Sequence, residues 1–287
     1  MRLPEWIRAR YDHERLHPMK GLLRRHGLST VCEEARCPNI GECFSKPTAT
    51  FMILGRRCTR NCGFCSIEKA IPFPPDEEEP LRVAMAANEM GLKYVVVTSP
   101  ARDDLPDGGA GHFAETVREI KRHLPGAKVE VLTPDFNERL HIVLEAGPDV
   151  FNHNVETVPR LYPIVRPKAD YERSLRLLSL VKGLSDIPAK SGLMVGLGET
   201  FKEVLGVLRD LRKAGCDFVT IGQYLRPSKG NLPVAEYLPP EVFDRLRDAA
   251  LEMGFKHAAS GPMVRSSMNA EEAYGHVKIA GGRALGV

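Results

Sequence analysis

Six of the seven cysteines in this 287-residue chain fall between Cys32 and Cys65, and Cys216 stands apart. They form two groups of three, Cys32-x4-Cys37-x5-Cys43 and Cys58-x3-Cys62-x2-Cys65. Thiolates are soft donors that suit zinc and iron–sulfur clusters. A structural zinc usually takes four protein ligands, and each group supplies three. An odd cysteine count leaves one thiol over in any disulfide scheme, and clustering of this kind in a reducing compartment points to metal binding. Three thiolates around a cubane leave one iron open to a small molecule. A zinc site drawing on both groups is the competing chemistry.

The elements that must position these thiols follow a regular rhythm. From about residue 50, short apolar runs alternate with helical patterns. Strands are expected at 50–54, 94–98, 128–132, 149–154, 191–195 and 218–221, with a last short run at 256–259. Helices are expected at 80–90, 111–123, 137–146, 172–184, 200–214 and 240–253. Six strand–helix repeats predict parallel strands with helices outside, a partial α/β barrel of the (β/α)6 TIM-like kind. A doubly wound open sheet is the alternative. The second cysteine group follows the first strand directly, at the end where α/β barrels place their chemistry. Residues 1–49, basic and carrying three cysteines, stand outside the rhythm as an N-terminal extension. Residues 50–259 form the barrel, and 260–287 a C-terminal extension.

The loop Arg57-Cys-Thr-Arg-Asn-Cys-Gly-Phe-Cys65, with Phe64 in the aromatic position, resembles the signature of the radical S-adenosylmethionine (SAM) superfamily. The resemblance implies that Cys58, Cys62 and Cys65 hold a 4Fe-4S cluster whose open iron chelates the amino and carboxylate groups of SAM. Reductive cleavage then gives a 5′-deoxyadenosyl radical that abstracts hydrogen from unactivated carbon. Gly192-Leu-Met-Val-Gly-Leu-Gly-Glu199 resembles the Gly-x-Ile-x-Gly-x-x-Glu pattern of the adenine site, with Met194 in the isoleucine position and Gly196 after it. A Rossmann reading of the same stretch fails, because Phe201 stands where a glycine is needed.

Further motifs resemble lipoyl synthases in particular, in order from about Glu34 to Ala270. They include Glu34-Ala-Arg-Cys-Pro-Asn-Ile-Gly-Glu-Cys-Phe44, Pro47-Thr-Ala-Thr-Phe-Met-Ile-Leu-Gly55 and Arg102-Asp-Asp-Leu-Pro-Asp-Gly-Gly-Ala110. Phe151-Asn-His-Asn-Val-Glu-Thr157 and Ile221-Gly-Gln-Tyr-Leu225 belong to the same set. The resemblance implies a second, auxiliary 4Fe-4S cluster on Cys32, Cys37 and Cys43, completed by Ser267 of Arg265-Ser-Ser267. A serine oxygen is a hard ligand on a site otherwise held by soft thiolates, so that corner could release its iron. The implied reaction runs twice. A deoxyadenosyl radical removes hydrogen at C6 or C8 of a protein-bound octanoyl chain, and the carbon radical takes sulfide from the auxiliary cluster. Implied partners are an octanoylated lipoyl carrier (glycine cleavage H protein or the E2 lipoyl domain of a 2-oxoacid dehydrogenase) and a reductant such as ferredoxin or flavodoxin. A diverged radical SAM enzyme using the auxiliary cluster for sulfur or electron transfer, and a zinc-stabilised interaction module, are the competing functions.

Strand ends supply further candidates. Asn154 and Glu156, with Asn152, stand where the fourth strand ends, suited to ribose or amino-group hydrogen bonds. Ser99, Asp103, Asp104 and Asp107 follow the second strand; the aspartates either hold the SAM ammonium or cap the next helix. Tyr224 either contacts adenine or packs. His153 has no partner at ligand spacing and reads as structural, and Cys216 as a core thiol. The chain departs from the lipoyl synthase pattern at Pro100-Ala101, at Ser66-Ile-Glu-Lys69 and at Met268-Asn269, none of them a cluster ligand.

Hydrophobic residues at 43% and charged residues at 27% are ordinary for a globular chain. A net charge of +3 does not argue for nucleic acid. The sequence contains no apolar run of the roughly 20 residues needed to span a bilayer, and its first residues lack a signal-peptide core, so a cytoplasmic location is expected. Basic residues Arg8, Arg10, Lys20, Arg24 and Arg25 form either a solvated face or a steering surface for an acidic carrier.

Overall fold

A computed structural model describes residues 3–7, 13–43, 48–136, 139–272 and 274–275. Its strands are β1 (Ser29–Thr30), β2 (Thr48–Met52), β3 (Arg57–Cys58), β4 (Glu68–Lys69), β5 (Tyr94–Thr98), β6 (Lys128–Leu132), β7 (Val150–Asn152), β8 (Ala189–Val195), β9 (Phe218–Gln223) and β10 (His257–Gly261). The helices are α1 (His13–Arg25), α2 (Val31–Glu34), α3 (Ile40–Cys43), α4 (Glu79–Glu89), α5 (Ala110–His123), α6 (Leu140–Glu145), α7 (Tyr162–Val165), α8 (Tyr171–Leu184), α9 (Phe201–Lys213) and α10 (Pro240–Glu252).

Local sequence explains the regular part. The β-branched run of β5 is buried along its whole length, as strands covered on both faces require. In α5, Phe113, Val117 and Ile120 recur at helical spacing and are fully buried. Thr200 opens α9 with a capping box to Glu203, and Val204, Val207, Leu208 and Leu211 turn inward. Each such buried aliphatic side chain contributes about 1.5–3 kcal/mol.

The main sheet runs β1-β2-β5-β6-β7-β8-β9-β10. All pairings are parallel except β1 with β2. Strand order follows chain order, whereas a doubly wound sheet reverses at a switch point. Six strand–helix units followed by β10 therefore make an open, partial barrel. Val95, Val97, Val129 and Val131 pack into the core shared with the helices. The alternate residues Tyr94 and Val96 face the other side, where Ala270 and Tyr274 of the C-terminal segment meet them. The chain's own tail thus fills the barrel interior. A Cβ on Gly222 of β9 would stand 2.2 Å from Val264 O, so glycine is what lets the tail lie there.

Candidate active site

β2 ends at Met52, and the chain turns through Leu54, whose N–H donates to buried Glu79 (2.7 Å). The short pair β3–β4 then frames the loop carrying Cys58, Cys62 and Cys65. Cys58 Sγ accepts N–H bonds from Arg60 (3.4 Å) and Ala101 (3.3 Å), the latter from the segment that departs from the family pattern. The Arg60 side chain, buried, binds Asp103 (2.7 Å) and Asp135, and Arg173 also reaches Asp135 (3.2 Å). Gly63 N–H donates to Val165 O (2.9 Å), and Gly63 O accepts from Leu232 N–H (3.0 Å). Asn231 Nδ2 donates to Cys65 O (2.9 Å). A Cβ on Gly63 would stand 2.8 Å from the Leu232 side chain. The loop after β9 therefore clamps the cysteine loop against α7. Burial pushes the Cys62 thiol up, with Arg166 pulling it back, and pushes Cys65 up to about 12.

The first cysteine group lies beside the second. Ser66 Oγ, next to Cys65, donates to Glu34 O of α2 (2.7 Å). A cavity of about 240 Å³ opens at this seam, lined by Arg36, Cys65, Ser66, Lys69 and Asn231 among others. Cys32 shares a thiol hydrogen bond with Cys43; that bond, then burial and the charges of Cys37 and Cys43, hold its thiol well above the usual range. Burial also raises Cys37, opposed by Arg265. That arginine belongs to the C-terminal segment, which Asn39 ties down by donating to Met263 O (2.6 Å) and Met268 Sδ (3.3 Å). Both serines beside it are half-buried. Ser266 Oγ accepts from Asn152 (3.0 Å) and donates to Asn154 (2.8 Å).

The other candidates divide. Asn154 donates to Glu156 Oε1 (3.1 Å). Glu156 holds a left-handed φ of 65°, fixed by backbone bonds to Gly192 O (3.0 Å) and from Met194 N–H (2.8 Å). Such backbone is sparsely populated outside glycine and concentrates at functional sites. Burial raises its carboxyl and Arg166 lowers it. Met194, half-buried, is the penultimate residue of β8, and the Glu199 carboxylate receives the Gly196 N–H. Ser99 donates to Pro100 O (2.8 Å), and Phe64 packs on the core. Tyr224 is 1% exposed, with its hydroxyl donating to Leu232 O (2.8 Å). The aspartates each have partners within the chain. Asp107 caps α5 through Gly109 and Gly111 N–H (2.9 and 2.8 Å), Asp103 holds Arg60, and Asp104 holds Arg102 (2.8 Å). His153 is buried between Thr133 O (2.8 Å) and Ser174 Oγ (3.0 Å), and Cys216 is a buried core thiol. Of the basic residues, Lys20 faces Glu33 (3.6 Å) and Arg25 faces Glu89 (2.7 Å). Arg8 and Arg10, like Phe44 and Pro47 of the motifs, lie outside the described residues.

Three site residues were not read from the sequence. Asn231 and Ser266 carry no chemistry until the fold brings them in. Arg166 is buried and has no carboxylate in ion-pair range among the described residues; its Nη1 donates to Asn154 O (3.0 Å) and Val155 O (3.2 Å). Its Nε has no hydrogen-bond partner among the described residues, and its charge acts on Cys62 and Glu156. The signal was an arginine standing among apolar residues in Pro163-Ile-Val-Arg166.

Two juxtaposed sets of three thiols suit iron–sulfur clusters by donor chemistry. Among the described residues no group of three His, Cys, Asp or Glu side chains converges to hold a single metal ion. Comparison with known proteins agrees at two levels. A model of the Radical SAM superfamily matches residues 52–211. Among solved structures, SuiB of Streptococcus suis bound to S-adenosylmethionine superposes with a TM-score of 0.58 and 11% identity, over 82% of this chain and 50% of that one. Methylornithine synthase gives 0.52 at 16% identity, over 83% of each chain. The fold and the Cys58 loop thus define a radical SAM protein. Among curated relatives, the lipoyl synthase of Caldanaerobacter subterraneus subsp. tengcongensis is 59% identical over 94% of this chain and 96% of its own. That of Nitrosospira multiformis is 56% identical over 95% and 88%, and that of Haemophilus influenzae 54% over 94% and 87%. The chain belongs to the lipoyl synthase family, enzymes of the sulfurtransferase class that use SAM and iron–sulfur chemistry. No helix among the described residues is long and apolar enough to cross a membrane.

Proposed function

We propose that this chain inserts two sulfur atoms at C6 and C8 of an octanoyl group held on a carrier protein, forming the lipoyl cofactor. The observation that carries the reading is the meeting of three segments: the Cys58 loop, the Cys32 group stitched to it through Ser66, and the Arg265-Ser-Ser267 segment packed on the latter through Asn39. In this reading Cys58, Cys62 and Cys65 hold one 4Fe-4S cluster, and Cys32, Cys37, Cys43 and Ser267 hold a second. When bound, the clusters supply the electron that cleaves SAM and the sulfide that is inserted. Residues 50–259 serve the SAM half, while 1–49 and 260–287 serve the auxiliary cluster.

The protein's share is positioning and exclusion of water. N–H groups of Arg60 and Ala101 donate to Cys58 Sγ and fix where that sulfur stands. Asn154, Glu156 and Ser99 offer hydrogen bonds to the ribose and ammonium of SAM, and Phe64, Met194 and Gly196 flank its adenine. Tyr224 acts one step back, holding Leu232 against Gly63. The carrier is an H protein or E2 lipoyl domain, steered by basic residues including Lys20, Arg24 and Arg25. Ferredoxin or flavodoxin supplies electrons, and the setting is the cytoplasm.

An anaerobic single-turnover assay tests the proposal. Reconstituted protein is mixed with SAM, a strong reductant and an octanoyl-lysyl peptide, and the peptide is weighed. A gain matching two sulfurs, with sulfide lost from the protein, is expected. SAM cleavage with an unchanged peptide would sink the substrate assignment and leave the radical chemistry standing.

A further inference from the structure

Beyond the cysteine groups, a chain of buried polar side chains crosses the barrel interior. Lys190 Nζ lies 2.9 Å from Glu130 Oε1, and Tyr94 OH donates to Glu130 Oε2 (2.8 Å). Asn152 Nδ2 donates both to Glu130 Oε1 (2.8 Å) and to Ser266 Oγ (3.0 Å). Ser266 then donates to Asn154 Oδ1 (2.8 Å), and Asn154 donates to Glu156 (3.1 Å). Lys190, Glu130 and Asn152 are each buried to within 1%. A buried ionic network is rarely kept for stability alone, since apolar side chains of similar volume often serve as well.

The tail is pinned on both sides of Ser266. Val264 O lies against Gly222, and Asn39, between Cys37 and Cys43, holds Met263 O and Met268 Sδ. Ser266 belongs to the barrel side of this segment, and Ser267 is the next residue. Resting on the reading of Ser267 as the fourth auxiliary ligand, we propose that Ser266 is its positioning residue. Held by Asn152 and Asn154, Ser266 fixes where the Ser267 oxygen stands against the cluster of Cys32, Cys37 and Cys43. The same two bonds tie that corner to the strand end bearing Glu156.

The test uses the full chain with Cys58, Cys62 and Cys65 changed to alanine, so that only the auxiliary cluster is seen. After anaerobic reconstitution, Mössbauer and EPR spectra are recorded with and without added 2-mercaptoethanol. Ser267→Ala should open one iron, and its reduced EPR signal should shift on adding the thiol. Ser266→Ala is expected to show the same shift, and Ser266→Thr, which keeps the hydroxyl, the unaltered spectrum. A Ser266→Ala cluster that keeps its native spectrum and ignores the thiol overturns the positioning role, even if its Tm falls. Should that variant not fold, Asn152→Ala takes its place, leaving Glu130 with Lys190 and Tyr94; the same two outcomes decide. If Ser267→Ala itself ignores the thiol, the ligand reading falls and this inference with it. If it responds while Ser266→Ala and Asn152→Ala do not, only the positioning role is lost.

Discussion

His153 sits two residues from β7's Phe151 with both ring nitrogens engaged, Nδ1–H on Thr133 O (2.8 Å) and Nε2 beside the Ser174 hydroxyl (3.0 Å). Burial, reinforced by Arg166, lowers its pKa from 6.5 to about 4. The folded state therefore binds fewer protons than the unfolded chain between those values, so this residue's contribution is intact above pH 6.5 and is lost as pH falls toward 4. By pH 5 the loss amounts to about 2 kcal/mol. Urea unfolding of wild type and His153→Gln from pH 7.5 to pH 5 should show the wild type losing that much more than the variant. Parallel curves would mean that His153 titrates normally. Lys190 makes a second residue-scale case. Lys190→Met strands the Glu130 carboxylate in the barrel interior, and should cost roughly 3–5 kcal/mol. Adding Glu130→Gln should return most of it, and a double mutant no more stable than Lys190→Met would refute the pairing.

At the scale of elements, the close approach of β9 to the tail is the vulnerable contact. Gly222→Ala sets a Cβ 2.2 Å from a backbone oxygen, Val264 O, which cannot swing aside as a side chain would. The strand is held by parallel neighbours on both sides, so the tail must yield. A cost of about 1–3 kcal/mol is expected, together with reduced iron content at the auxiliary site and an unaltered Cys58-loop cluster. A variant with native Tm and iron would show that the tail does not occupy the interior. This contact also marks where sequence reading stops. The parallel strands and their helices were legible because apolar periodicity is local; β5 and β6 fall where the pattern puts them. The cysteine groups were legible because ligand spacing is local too. The antiparallel edge strand β1, at two residues, is too short to leave a pattern. The tail's route depends on Gly222, Asn39 and Ser266, which lie far apart in the chain and meet only in the fold. Glu130 inside Lys128–Leu132 and Lys190 inside Ala189–Val195 were the overlooked hints, opposite charges in two otherwise buried strands.

For the molecule as a whole, the open barrel and the two cysteine groups form one arrangement. An α/β barrel that leaves its edges apart exposes an interior to water unless something fills it. Here the filler is the segment after β10, with Ala270 and Tyr274 against Tyr94 and Val96 and Tyr274 stacked beside Lys128 (5.4 Å). The same segment carries the Arg265-Ser-Ser motif onto the first cysteine group. In the proposed reading, closure of the interior and completion of the auxiliary site are one event, while the Cys58 loop is held by Arg60, Asn231 and Val165. Ending the chain after Gly261 should therefore separate the two. The truncated protein is expected to keep the Cys58-loop cluster and to cleave SAM, with iron and sulfide falling to roughly half and sulfur insertion abolished. Its Tm should drop, because Tyr94 and Val96 lose their cover. Truncated protein that retains full iron would place the auxiliary site outside the tail's reach. Loss of both clusters together would show that the barrel cannot hold the Cys58 loop without its filling.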